Sequence, residues 1–128
     1  MSAADVEIVR KFLSSLIAGD LSGALALASD DLQLVEAGSI PHAGTYTGPE
    51  GLRQLFGSIG EIFGGFELGD ASFHDAGEFV VGRMQATFIS RSHDKKVTMA
   101  VAEHYWVEDG KVSYVDVYYK EPALLLDL

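Results

Sequence analysis

Apolar residues recur along the chain with two periods. Val6, Val9, Phe12, Leu13, Leu16 and Ile17 fall at helical spacing up to Gly19, and Ser2 with Asp5 three residues on resembles a capping box, so an amphipathic helix opens the chain. Asp20 is placed to cap a second, shorter helix from Leu21 to Ala28, ended by Asp30 and Asp31, and a strand then begins at Leu32 and carries Leu34 and Glu36. Residues 37–48 are glycine-rich with no helical period and read as a loop or irregular hairpin. Pro49 at a first helical position and Glu50 beside it start a third helix, with Leu52, Leu55, Phe56 and Ile59 on one face.

The second half changes to period two. Phe66 to Phe73, Phe79 to Arg91, Val97 to Val107 and Val112 to Tyr119 read as strands, and Asp109-Gly110 is the strongest hairpin signal because that dipeptide accepts the positive φ angles of a tight primed turn. Three helices followed by a long antiparallel meander predict an α+β fold over residues 1–128 as a single domain, with the helices laid against one face of a curved sheet.

Composition narrows the chemistry. The 128 residues include no cysteine and no asparagine, which removes disulfides, thiolate nucleophiles, Cys-ligated zinc and N-glycosylation. Nineteen acidic side chains against nine basic ones give a net charge of −10, and between Phe12 and Gly82 ten acids face the single base Arg53. Such a surface repels phosphate backbones, so no nucleic-acid partner is expected. No apolar run approaches the roughly 18–20 residues of a membrane span, and the first residues lack a basic leader region, so a cytoplasmic protein with no membrane association is expected. The four histidines, at 42, 74, 93 and 104, show no metal-ligand spacing, and no phosphate loop, dinucleotide fingerprint or nucleophile elbow is present. Neither metal nor cofactor is expected; carboxylates, histidines and tyrosines among apolar residues suit proton transfer.

Two acids break the apolar pattern. Glu36 shares strand parity with Leu32 and Leu34, and Glu103 with Val97, Met99, Val101, Tyr105 and Val107, so both point into the interior unless a strand end or a bulge turns them to solvent. A carboxylate there is costly unless paired, hydrated or protonated. His42 and Tyr46, in the glycine-rich loop, are placed to lean over whatever cavity these faces enclose. His104 and Trp106 have the opposite parity and face the far side of the sheet or a subunit contact, and Asp116 is an outer-face residue by the same argument.

The run VRKFLSSLIAGDLSGALALASDDLQLVEAG, the loop PHAGTYTGPEGLRQLF and the hairpin AVAEHYWVEDGKVSYVDVYY together resemble the nuclear transport factor 2-like superfamily, in its ketosteroid isomerase and SnoaL-like polyketide cyclase types. The resemblance covers nearly the whole chain. It implies a cone-shaped, strongly curved, mostly antiparallel sheet wrapped on the helices, an apolar cavity at the open end, and a homodimer. Glu36 matches the isomerases' base and Glu103 the protonated acid of their oxyanion hole. Phe12 stands where those isomerases carry a helix-1 tyrosine, so one oxyanion donor is missing, and Tyr46, Tyr105 or Tyr119 is the replacement to look for. SnoaL-like cyclases carry an inward aspartate on the last strand; here Val117 matches that position and Asp116 is displaced by one. His42 is the acid or base of the loop.

Residue pattern and resemblance together imply a cofactor-independent isomerase- or cyclase-like enzyme that moves a proton on a hydrophobic, steroid- or polyketide-like molecule. Glu36, Glu103 and His42 are its candidate catalytic groups, and Phe12, Tyr46, Phe56, Met84, Phe88, Tyr105 and Tyr119 its candidate substrate contacts. The alternative is a non-catalytic ligand-binding or dimeric assembly module, in which the leucine-rich tail Ala123 to Leu128 plugs the cone or covers a subunit interface.

Overall fold

The computed structural model describes residues 3–128, and the Ser2 capping position lies outside them. The element order is α1 (Ala3–Ile17), α2 (Leu21–Ala26), β1 (Ala28–Val35), β2 (Thr45–Thr47), α3 (Gly48–Ile62), β3 (Gly65–Asp75), β4 (Val80–Ile89), β5 (Lys96–Glu108), β6 (Lys111–Tyr119) and a 3₁₀ turn, Pro122–Leu125. The strands form one open sheet in the order β2-β1-β6-β5-β4-β3. All neighbours are antiparallel except β1 with β6, which run parallel. Helices α1 and α3 lie on one face, and the α+β cone expected from the sequence is the fold.

Curvature has visible causes. The pairing register shifts between Ala28 and Gln33, between Gly69 and Ser72, and between Trp106 and Val107, and each irregularity bends its strand and adds twist. The Asp109-Gly110 turn takes φ values of 52° and 75°, the left-handed pair a primed hairpin requires.

Two boundaries differ from the expectation. Helix α2 stops at Ala26, and Asp30 and Asp31, expected to end that helix, lie within β1. Asp20 caps the helix through a 2.9 Å bond to the Gly23 amide as expected, but the Val112 amide donates to the Leu27 carbonyl at 2.8 Å and Ala28 pairs with Val112, so the sheet claims the segment. A long-range pairing of this kind leaves no local pattern. The glycine-rich loop contains the short strand β2, with Leu34 opposite Tyr46, and is therefore a hairpin. Gly51 lets α3 close onto this hairpin, since a Cβ there would stand 2.7 Å from the Tyr46 carbonyl carbon.

The core lies between helices and sheet and is continuous. Val9, Phe12 and Leu13 of α1 and Leu52, Leu55 and Ile59 of α3 pack against Leu32, Met84, Phe88, Val101, Val115 and their neighbours. Along β4 the alternation is complete: Val80, Gly82, Met84, Ala86 and Phe88 are all buried. The opposite face carries an aromatic row in which Phe79 lies 4.9 Å from both His104 and Trp106, and His104 4.8 Å from Tyr118. Among the described residues no helix is long and apolar enough to cross a membrane.

Candidate functional site

A cavity of about 480 Å³ opens between the two long helices and the inner sheet face. Phe12, Leu16 and Ile17 line it from α1, Leu55, Phe56 and Ile59 from α3, and Phe66 and Leu68 from β3. Ile17 is 49% exposed, as a residue at the mouth must be, whereas Phe12 is almost wholly covered at 1%. Four polar side chains share this apolar wall: Glu36, Glu67, Glu103 and Tyr119. Three are carboxylic acids, and among the described residues no lysine, arginine or histidine lines the cavity. Glu67 is exposed and stands at the rim.

Glu36 follows directly on β1, and its amide extends the hairpin by donating to the Gly44 carbonyl at 2.9 Å. That bond fixes the parity inferred from Leu32 and Leu34, and the residue is 9% exposed. Its Oε1 accepts a hydrogen bond from the Tyr119 hydroxyl at 2.7 Å. Burial pushes the carboxyl up from 4.5 to about 8, with the Tyr119 bond opposing and the charge of Glu103 assisting.

Glu103 sits at mid-strand in β5, paired with Gly82 of β4 and Val117 of β6. Its Oε1 accepts a hydrogen bond from Tyr105, two residues on along the same face. Burial raises this carboxyl too, against the lowering effect of the Tyr105 hydroxyl. Gly82 makes the arrangement possible: a Cβ there would lie 2.9 Å from the Tyr105 ring and 3.2 Å from Phe73. The Tyr105 ring has room beside its acid because Gly82, opposite Glu103, has no side chain.

The other candidate residues divide by position. Phe12, Phe56 and Tyr119 line the cavity beside the two acids, whereas Tyr46, Met84, Phe88 and Tyr105 do not form its wall. Met84 and Phe88 are core residues, and Tyr105, wholly buried, touches Phe12 edge-on at a ring separation of 6.5 Å. Tyr46 closes its own loop by donating to the carbonyls of His42 at 3.0 Å and Ala43 at 3.3 Å. His42 lies behind the wall, 2% exposed, with Nε2 2.8 Å from the Tyr119 hydroxyl. Burial lowers its imidazole to about 4, so it is neutral at neutral pH. Neither residue of the loop leans over the cavity, because the loop folds inward through buried Ile40 and His42.

On the last strand Val117 points inward at 5% exposure, and Asp116 lies on the outer face, where it accepts from Tyr118 at 2.9 Å. Among the described residues no aspartate lines the cavity. The leucine-rich tail does not plug the cone. Leu125 is buried, Leu124 and Leu126 are exposed, and none of them lines the cavity. The tail is fastened by Ser90, whose hydroxyl donates to the Leu128 carbonyl at 2.8 Å.

Several wall residues were not singled out from the sequence: Leu13, Leu16, Ile17, Leu34, Leu55, Ile59, Phe66, Glu67, Leu68 and Val115. Their helical and strand periods mark most of them as core-facing, but a cavity wall and a packed core present the same alternation.

Residues 9–115 match the family described as the SnoaL-like domain. Comparison with curated proteins gives no match. Among solved structures, TerC co-crystallised with polyporic acid superposes with a TM-score of 0.85 at 19% identity, covering 98% of this chain and 100% of that one. An NTF2-like protein from Burkholderia xenovorans LB400 gives 0.85 at 24% identity, over 99% and 96% of the two chains. A Pseudomonas putida KT2440 protein provisionally designated a polyketide cyclase gives 0.74 at 16%, over 100% and 99%. At these identities the likeness is one of fold.

Proposed function

The chain belongs to the SnoaL-like domain family, and on that premise we propose that it is a cofactor-independent enzyme that removes and returns a proton beside a carbonyl group in an uncharged, apolar, ring-containing molecule. The observation that carries this reading is the placement of two carboxyl groups, the buried Glu36 and the half-buried Glu103, on the wall of one apolar cavity, each with its own tyrosine donor. The lack of a basic side chain on the described wall disfavours anionic ligands, since nothing there would compensate a buried negative charge.

The division of labour rests on the surroundings of each acid. Glu36 titrates near 8, so close to neutral pH it accepts a proton and returns it with little bias. Glu103, whose carboxyl is raised above its ordinary value by desolvation, donates in its protonated form to the oxygen on which enolate charge develops. Tyr119 and Tyr105 are both engaged with the acids, so the donor absent at Phe12 has no direct tyrosine replacement on the wall. A fold-mate provisionally designated a polyketide cyclase supports this use.

The test is a turnover screen with cyclic ketones and polyketide-like esters, guided by mass spectrometry of any copurified ligand. Glu36→Gln is expected to lower turnover about 10²–10⁴-fold with the fold unchanged, the usual range for a lost general base. Turnover equal to the parent would remove Glu36 from the mechanism. A copurified ligand recovered unaltered, together with no turnover in either protein, would favour a binding module instead.

A further inference from the structure

The buried His42 imidazole makes a single side-chain hydrogen bond, from Nε2 to the Tyr119 oxygen, and Nδ1 has no hydrogen-bond partner among the described residues. Its surroundings are rings: Phe63 at 5.7 Å, Phe88 at 5.9 Å and Tyr119 at 5.9 Å between centroids. Such a cage offers no acceptor for an N–H at Nδ1.

That orphaned nitrogen fixes the direction of the hydrogen bonds from histidine to acid. A buried N–H without an acceptor is rarer and costlier than a buried lone pair without a donor, so the proton of the neutral ring belongs on Nε2. Nε2–H then donates to the Tyr119 oxygen at 2.8 Å, and the single tyrosine hydrogen is directed to Glu36 Oε1 at 2.7 Å. His42 Nε2 itself stands 3.9 Å from that oxygen, too far for a direct bond, so histidine reaches the acid only through tyrosine. The opposite polarity would require Glu36 to carry its proton on Oε1 and would bury an unsatisfied Nδ1–H.

We propose that His42 and Tyr119 form a one-way hydrogen-bond chain that reserves Oε1 of Glu36 as an acceptor in both charge states of the acid, so that Oε2 is the oxygen that takes up and returns the proton. The inference rests on the reading of Glu36 as the proton acceptor and makes His42 and Tyr119 positioning residues for it. Oε2 accepts no hydrogen bond among the described residues, so it is the oxygen free for a ligand. The titratable groups that act on Glu36 are Tyr119 of β6 and Glu103 of β5, with Tyr46 of β2 and the neutral His42 nearby.

The hydrogen-bond chain is tested without substrate. In the ¹⁵N-labelled protein at neutral pH, Nε2 of His42 is expected at a protonated-nitrogen shift and Nδ1 at an unprotonated one; the reverse assignment would overturn the proposal. Carboxyl ¹³C titration then reads Glu36 directly. Tyr119→Phe is expected to raise its midpoint by about one unit or more, and His42→Leu by about 0.3–1 unit, because a donor into the tyrosine oxygen strengthens that tyrosine as a donor. His42→Gln, which places an amide N–H near the same point, is expected to return the midpoint toward the parent value. A His42→Leu midpoint equal to the parent would refute the coupling. Should the leucine variant not fold, the ring shifts of the parent protein and the glutamine titration still decide. These readouts are independent of turnover, so an inactive protein with the expected shifts would reject the enzyme reading and leave the hydrogen-bond chain standing.

Discussion

Tyr105 donates a hydrogen bond to the Glu103 carboxyl from two residues further along the same face of β5, so acid and donor are set by strand parity alone. Glu103 stands opposite Gly82, where an added Cβ would lie 2.9 Å from the Tyr105 ring. Their relation differs from that of Glu36 and Tyr119, which are 83 residues apart and meet only through the fold.

Replacing Tyr105 with Phe removes this donor and little volume. The Glu103 titration midpoint is expected to rise further, because the hydroxyl is what opposes its desolvation, and stability to fall by about 1–3 kcal/mol for the lost buried bond. Carboxyl NMR and denaturant unfolding of the same variant check both. An unshifted midpoint would mean that the phenol does not hold the acid.

The pH dependence of stability is set by the buried groups. Glu36 keeps in the fold a proton that the unfolded chain loses at its ordinary value of 4.5, so its contribution falls as pH rises from about 4.5 to about 8 and stays low above that. Glu103 acts in the same direction. His42 acts oppositely: its folded value near 4 lies below its ordinary 6.5, so its contribution rises with pH across that window. The net decline is therefore expected to steepen above pH 6.5, where histidine no longer opposes it. Glu36→Gln is expected to match the parent below pH 4.5 and to exceed it above pH 8 by about 2–5 kcal/mol, as the shift in Glu36 implies. Urea unfolding across pH 4–9 measures this, and parallel curves for the two proteins would contradict the assignment.

Gly82→Ala places a methyl group 2.9 Å from the Tyr105 ring, with Phe73 and the Met84 side chain close on the other sides. A loss of about 1–3 kcal/mol is expected from overpacking, with displacement of Tyr105 from Glu103. Thermal unfolding gives the first quantity, and the Glu103 carboxyl shift reports the second. A variant as stable as the parent with an unchanged shift would show that the ring moves freely.

Much of the fold is legible in the sequence because it rests on local periods. The helical spacing of Val9, Phe12, Leu13 and Leu16, the alternation from Val80 to Phe88 and the Asp109-Gly110 turn each specify their element with neighbours alone. Where the expectation missed, as at Asp30 and Asp31, a pairing with β6 across more than eighty residues overrode local preference.

The site divides along the same line. Glu36 and Glu103 stand out in the sequence because a charged group on an apolar parity violates a pattern that is visible locally, and the cost of burying it makes the violation informative. Nothing local says that His42 turns behind Tyr119 rather than over the cavity, that Tyr105 serves Glu103 and Tyr119 serves Glu36, or that Phe66 and Ile17 are wall rather than core. Those outcomes depend on how β1, β5 and β6 lie beside one another and how the hairpin loop folds onto them. The sequence determined which side chains face inward, through the 3.6- and 2-residue periods of the backbone; the tertiary structure decided which of them meet, because contact is set by register and curvature accumulated over the whole sheet.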